Sequence, residues 1–82
     1  MLIHAPKELA LFVIHRRKQL NLSQAAVANR VGLKQKTVSA FENKPESTKL
    51  DTLFRILSAV KLDITLLMKD DMRVKSQWKE EW

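Results

Sequence analysis

The only glycine of this chain, Gly32, lies between two stretches whose apolar residues recur at helical spacing. Ser23 precedes the first stretch, and serine is among the residues that cap a helix N-terminus most effectively. The pattern predicts a helix over residues 24–31, a left-handed C-cap at the glycine, and a further helix from residue 34 or 35 to Asn43. A chain with one glycine cannot build a glycine-rich phosphate loop, so that class of nucleotide site is excluded.

These two predicted helices carry the packing residues of a helix-turn-helix in the right register. The first helix needs a small residue, Ala28, where the second crosses it, and the turn needs a glycine four residues later. The set in register is Val27, Ala28, Gly32, Leu33, Val38 and Phe41, and Val31 closes the core together with Val27. Polar residues on the outer face of an arbitrary amphipathic helix are usually only solvated. This set in register instead favours DNA binding.

The outer face of the second of these helices carries polar side chains that suit nucleic acid. Gln35, Lys36 and Ser39 can hydrogen-bond base edges, which makes them candidate base readers. The residues predicted to suit phosphate contacts are Gln24, Thr37 and Asn43, whereas Lys34 could make either kind of contact. Positive charge around this surface is added by Arg30, Lys44 and Lys49.

Two more helices are predicted to complete the core. One begins near Pro6, because proline is favoured at the first helical position. The other covers Leu50–Val60 and is expected to bury Leu53, Phe54, Ile56 and Leu57. Residues 44–47 are predicted as a loop. The fold class is therefore all-α (mainly), a four- to five-helix domain of helix-turn-helix type with one C-terminal β-strand.

The strand is predicted over residues 62–68, where apolar residues alternate with a period of two. A lone strand lacks a partner in its own chain, so we expect it to pair with the same strand of a second copy. The predicted dimerisation residues are Leu62, Ile64, Leu66 and Met68. This gives a domain over residues 1–69 and a flexible tail over residues 70–82. Trp78 and Trp82 in that tail are candidate partner-binding residues, and folding back onto the protein's own core is the alternative.

Charge and composition restrict the function classes. The net charge of the 82-residue chain is +6, and residues 1–68 carry all of this excess, which suggests a polyanion: nucleic acid first, an anionic membrane second. The chain has no cysteine, and His4 and His15 lie far apart without a carboxylate cluster, so we predict neither metal nor cofactor. Glu42 and Glu46 are interpreted as helix-end and loop charges. We therefore predict a binding protein and not an enzyme.

The sequence shows neither a signal-peptide pattern nor a membrane-spanning pattern, so we expect the protein in the cytoplasm. When it is bound to DNA, we expect it on the nucleoid.

Four short segments of the sequence resemble the Cro/repressor helix-turn-helix family. They are residues 22–24, 31–33, 37–43 and 50–57. Within that family, this chain is similar to HipB antitoxins at residues 34–35 with Thr37 and Ser39, at residues 41–43 and 62–68, and at the terminal Glu81-Trp82. The resemblance implies a homodimer with paired C-terminal strands that binds palindromic operators, represses its own operon and binds HipA-type Ser/Thr kinase toxins. It also implies that Ser23 joins Gln24, Lys34, Gln35, Lys36, Ser39 and Asn43 in contacting DNA, and that Trp82 ends a toxin-engaging tail. Lys36 departs from the family pattern, in which a small residue is expected there.

Two other functions are compatible with these features. One is a stand-alone transcriptional regulator of the Cro/repressor type without a toxin partner. The other is a protein-interaction module that never touches DNA, which the basic bias of residues 1–68 disfavours. A HipA-like toxin could also be bound together with a further small subunit, leaving this chain mainly to bind DNA and assemble the complex.

Overall fold

The computed structural model describes residues 2–69, which form four α-helices and one short 3₁₀ helix. The helices are α1 (Pro6–Gln19), α2 (Gln24–Arg30), α3 (Gln35–Asn43) and α4 (Leu50–Ala59), with the 3₁₀ helix at Pro45–Ser47. The predicted helical fold class is confirmed. Val31 and Val60 are C-cap residues, so α2 and α4 each end one residue earlier than predicted. The predicted loop after α3 contains the 3₁₀ helix.

Local signals explain where α2 begins and ends. The Ser23 hydroxyl oxygen accepts a hydrogen bond from the Ala26 backbone N–H at 3.0 Å, which satisfies one of the free donors at the start of α2. Gly32 has a φ of +70°, the left-handed conformation predicted for it. The Leu33 N–H then donates to the Ala28 carbonyl at 2.9 Å and closes the turn. These contacts fix the angle at which α3 follows α2.

The core lies where the four helices meet. Its largest fully buried side chains are Val13, Val27, Val38, Phe41, Ile56 and Val60, which come from all four helices and the end of α4. Burying such a side chain stabilises a fold by about 1.5–3 kcal/mol. Ala28 is also fully buried, as expected for the small residue at the crossing of α2 and α3. Packing therefore holds α3 against α2 through Val38 and Phe41.

The burial predicted for α4 is correct except at Phe54. Ile56 and Leu57 are buried and Leu53 packs against them, whereas 52% of Phe54 is exposed. Successive residues of a helix are rotated by about 100°, so Leu53, Ile56 and Leu57 share one face and Phe54 lies at its edge. The prediction that Phe54 is buried is wrong for the single chain.

Residues 62–68 belong to no helix or strand of the single chain. Leu62 packs against the core, and its N–H donates to the Leu57 carbonyl at 2.9 Å. Ile64, Leu66 and Met68 are exposed. A strand paired between two copies cannot form within one chain, so the intermolecular pairing stays a prediction.

The C-terminal residues 70–82 lie outside the described residues. This also applies to Trp78 and Trp82, so the boundary after residue 69 and the tail assignment remain predictions. None of the helices within residues 2–69 has both the length and the apolar character required to cross a bilayer.

Candidate nucleic-acid interface

The face of α3 opposite its buried side is polar and exposed. Val38 and Phe41 point into the core, so the rotation of about 100° per residue places Lys36 and Asn43 near the middle of the opposite face. Both are exposed, as is Lys34, the N-cap residue of α3. Gln35 lies at the flank of this face nearest α2. A surface of this kind can be presented to a groove without disturbing the packing beneath it.

A network of polar side chains joins α1, α2 and α3 along one flank of this face. Arg17 donates to both carboxylate oxygens of Glu42, from Nε to Oε2 at 2.7 Å and from Nη2 to Oε1 at 3.0 Å. Gln24 Nε2 donates to Glu42 Oε1 at 2.8 Å. Gln35 Nε2 donates to Gln24 Oε1 at 2.6 Å. The side chains of Arg17 and Glu42 are only 12% and 6% exposed, so this bidentate pair is largely shielded from water.

The network fixes which way each amide faces. Ionised Glu42 can only accept, so Gln24 must turn its Nε2 towards it and its Oε1 away. That oxygen then accepts from Gln35 Nε2. Gln35 is left with its carbonyl oxygen and one N–H, which are the groups that bind the N6 and N7 edge of adenine. Gln24 likewise keeps one N–H for a phosphate oxygen.

Glu42 is the main residue of the candidate site that the sequence interpretation missed. It was expected to be a helix-end charge, but its carboxylate, on a side chain that is only 6% exposed, joins α1, α2 and α3. Its partner Arg17 lies 25 positions away in sequence. A glutamate in the last turn of α3, directly beside Phe41 on the inward side, was the only local signal of a buried acid.

The other predicted contact residues fall at two places. Ser23 lies beside Gln24 at the N-terminus of α2, where its hydroxyl oxygen caps the helix. On α3, Asn43 Nδ2 donates to Ser39 Oγ at 3.2 Å. Thr37 is half-buried in the first turn of α3, away from the middle of the exposed face. Of the predicted DNA-binding residues, only Gln24 with Gln35 and Ser39 with Asn43 are joined by side-chain hydrogen bonds in residues 2–69.

Arginine and lysine differ sharply in this part of the chain. Arg16 Nε donates to the Val60 carbonyl at 3.1 Å, and Arg30 Nη1 donates to the Ala59 carbonyl at 3.2 Å, so both cap the C-terminus of α4. Arg55 pairs with Asp51 at 3.3 Å. No lysine within residues 2–69 has an ion pair or a side-chain hydrogen bond to another described residue. The unpaired positive charge next to α3 therefore belongs to lysines.

Comparison with known proteins assigns the family. A family model described as helix-turn-helix matches residues 14–67, which include Arg17, Gln24, Gln35 and Glu42. The antitoxin HipB of Escherichia coli (strain K12) is 41% identical over 64 residues, covering 78% of this chain and 73% of that protein. The chain belongs to the HipB-type helix-turn-helix family. Its fold is that of HipB in a HipA-HipB-O2-O3 complex, with a TM-score of 0.82 and 37% identity over 85% of this chain and 99% of that chain.

A second solved structure, a HipB-O1-O2 complex, matches equally well. Its TM-score is 0.80 at 38% identity, covering 83% of this chain and 99% of that chain. In this chain the Gln24–Gln35 hydrogen bond joins the N-terminus of α2 to the exposed face of α3. In the part of the chain that the structure describes, no group of His, Asp or Glu side chains is arranged to hold a metal ion.

Proposed function

We propose that this chain is the DNA-binding antitoxin of a HipBA-type toxin–antitoxin system. As a homodimer it binds palindromic operator DNA and represses its own operon, and it also binds a HipA-like Ser/Thr kinase toxin. The resemblance to HipB over most of both chains supports this proposal, as does the similarity to HipB in a complex with HipA. The same similarity disfavours the alternative of a stand-alone regulator without a toxin partner.

The observation that carries the DNA-binding part is the amide of Gln35, held at the edge of α3 by Gln24 and Glu42. In our proposal α3 enters the major groove, and Gln35, Lys36 and Ser39 meet base edges. Phosphate contacts come from residues at the ends and flanks of the two helices, namely Ser23, Gln24, Thr37 and Asn43, while Lys34 meets a base or a phosphate. An amide that is already held in its binding orientation loses less conformational entropy on binding DNA than a freely rotating one.

Dimerisation gives the operator its symmetry. Leu62, Ile64, Leu66 and Met68 pair with the same segment of a second copy, which explains why most of them are exposed in one chain. Two copies of α3 about 34 Å apart then enter successive major grooves on one face of the DNA. Affinity should fall by roughly 10³ or more between 50 and 200 mM salt if ~6 or more phosphates are neutralised.

The toxin contact is assigned to the C-terminal residues 70–82, which act as a separate segment. Trp78 and Trp82 are the proposed anchors, because tryptophan is enriched among the residues that dominate interface energies. In this proposal the chain works by binding alone and not as an enzyme, without a cofactor. It acts in the cytoplasm, where the operator DNA is found.

The DNA-binding part is tested with the promoter region upstream of the gene itself. Fluorescence anisotropy should show salt-sensitive binding of the full chain to that duplex and weaker binding to a scrambled duplex. Gln35→Ala should cost about 1–3 kcal/mol on the promoter duplex and much less on the scrambled one. Ser58→Ala, a change on the exposed face of α4, is the matched control and should have no effect. Equal binding to both duplexes would refute operator recognition.

The toxin part needs a separate experiment. The tagged full chain and a form truncated after Asp71 are each expressed with the neighbouring genes and purified. A kinase-like partner should follow the full chain and be lost or weakened on truncation. A partner that stays with the truncated form would assign the interface to the folded domain. Recovery of DNA binding without any partner would leave a stand-alone repressor.

A further inference from the structure

Lys36 is the one cationic residue within α3, and it lies on the exposed face. With Val38 and Phe41 fully buried, the helical rotation places Lys36 almost opposite the buried face. Gln35, one residue earlier, lies on the flank of this face and donates a hydrogen bond to Gln24. A helix that enters a groove with this face forward brings Lys36 closer to the floor of the groove than Gln35.

The Lys36 ammonium is free to bind a ligand. Within residues 2–69 it forms neither an ion pair nor a hydrogen bond, and the acidic side chain nearest in sequence, Glu42, already binds Arg17 and Gln24. Its neighbours one and two turns along, Ser39 and Asn43, bind each other. No described group therefore competes for the three N–H donors of Lys36.

The chemistry of an ammonium selects among bases. Lysine offers donors only, and among the four bases guanine alone presents two acceptors, N7 and O6, at its major-groove edge. Adenine and cytosine place an amino group there, which an ammonium repels. Thymine offers one acceptor beside a methyl group.

From this geometry we infer that Lys36 reads a guanine in each operator half-site and so determines the sequence specificity of this chain. The inference rests on the proposed DNA-binding function and deepens it. A small side chain without a donor at this position could not make such a bond. The operator of this chain should therefore differ from those of relatives with a small residue here at the base pair that faces Lys36.

The inference is tested by selecting bound DNA from a pool of duplexes with a randomised central segment, using the full chain. The wild type should select a palindrome with a guanine at one fixed position in each half-site. Lys36→Ala should lose preference at that position alone, by about 5-fold or more, and keep the others. Lys36→Arg should keep the guanine, because arginine also donates to N7 and O6.

Lys44→Ala is the control for charge. It removes one positive charge just after α3, so it should weaken binding to all sequences and leave the selected palindrome unchanged. Thermal unfolding of each variant establishes that it is folded. The inference is overturned if Lys36→Ala behaves like Lys44→Ala, or if the wild type prefers another base at that position. Failure of the wild type to select any common sequence would instead overturn the proposed function itself.

Discussion

Replacing Glu42 by alanine should destabilise the protein more than any other substitution of a charged residue in α3. The change leaves Arg17 without its bidentate partner and Gln24 without its acceptor. Removing one partner of a fully buried ion pair typically costs about 3–5 kcal/mol. Arg17 keeps one hydrogen bond, from Nη1 to the Leu22 carbonyl at 3.0 Å, and remains 12% exposed. We therefore expect a smaller loss in the free energy of unfolding, about 2–3 kcal/mol.

The loss is measured by urea unfolding followed by far-ultraviolet circular dichroism. All variants must be compared at one protein concentration, because the proposed dimerisation would make apparent stability depend on concentration. Arg17→Met and the double variant complete a cycle. Since the double variant leaves no buried charge unpaired, its loss should be smaller than the sum of the single losses. Glu42→Gln keeps the shape and one acceptor, so it should cost less than Glu42→Ala.

A loss below about 0.5 kcal/mol for Glu42→Ala, typical of an ordinary surface change, would refute the reasoning. Additive losses in the cycle would refute it independently, because they would mean that Arg17 and Glu42 do not interact. A second readout follows from the link to Gln35. At a temperature where the variant is fully folded, Glu42→Ala should weaken discrimination at the base pair that we propose Gln35 to read.

Three further predictions concern the fold. Gly32→Ala should cost about 1–2 kcal/mol from backbone strain alone, because φ is +70° and no atom lies within 4 Å of the added Cβ; a neutral result in urea unfolding would contradict the left-handed turn. Ser23→Ala should cost about 1 kcal/mol through loss of the cap, and Ser23→Asp should retain most of it; equal melting temperatures for wild type and Ser23→Ala would exclude that role. Ile56→Ala should cost about 2–5 kcal/mol, whereas Leu11→Ala, at an exposed site of α1, should stay within about 0.5 kcal/mol; similar losses for both would disprove the assignment of the core.

The sequence predicts what depends on neighbours along the chain. The helices, the serine cap and the glycine turn each have a local signature, and the structure confirms them within one residue or two. Phe54 was misplaced because a helix is narrow, and only three of four neighbouring apolar residues could share its inner face. Lys61, which adopts a φ of +59° just after α4 without being glycine, carried no signal of its own.

The candidate site was predictable only in its outer layer. The pattern of Val38 and Phe41 places Gln35 and Lys36 on the surface, and the structure agrees. The support beneath that surface was not predictable, because Arg17 and Glu42 come together only when α1 packs against α3. Pairing between distant charges leaves no periodic trace in a sequence. The positions of Arg16 and Arg30 were not predictable for the same reason, because each binds a backbone carbonyl at the end of α4, far away in sequence.

The different use of arginine and lysine has a consequence for how the domain meets a polyanion. Each arginine of residues 2–69 has a partner within the protein. Arg16, Arg17 and Arg30 connect different helices, so removing one of these three should loosen the fold before it changes any attraction to DNA. The lysines of residues 2–69 have no partner among the described side chains, and an ammonium is a hydrated point charge that imposes little geometry on a ligand. The stability of the fold thus depends on arginines, whereas the attraction to DNA depends on lysines. The surface charge of this domain can therefore be altered by substituting single lysines while the architecture beneath it stays the same.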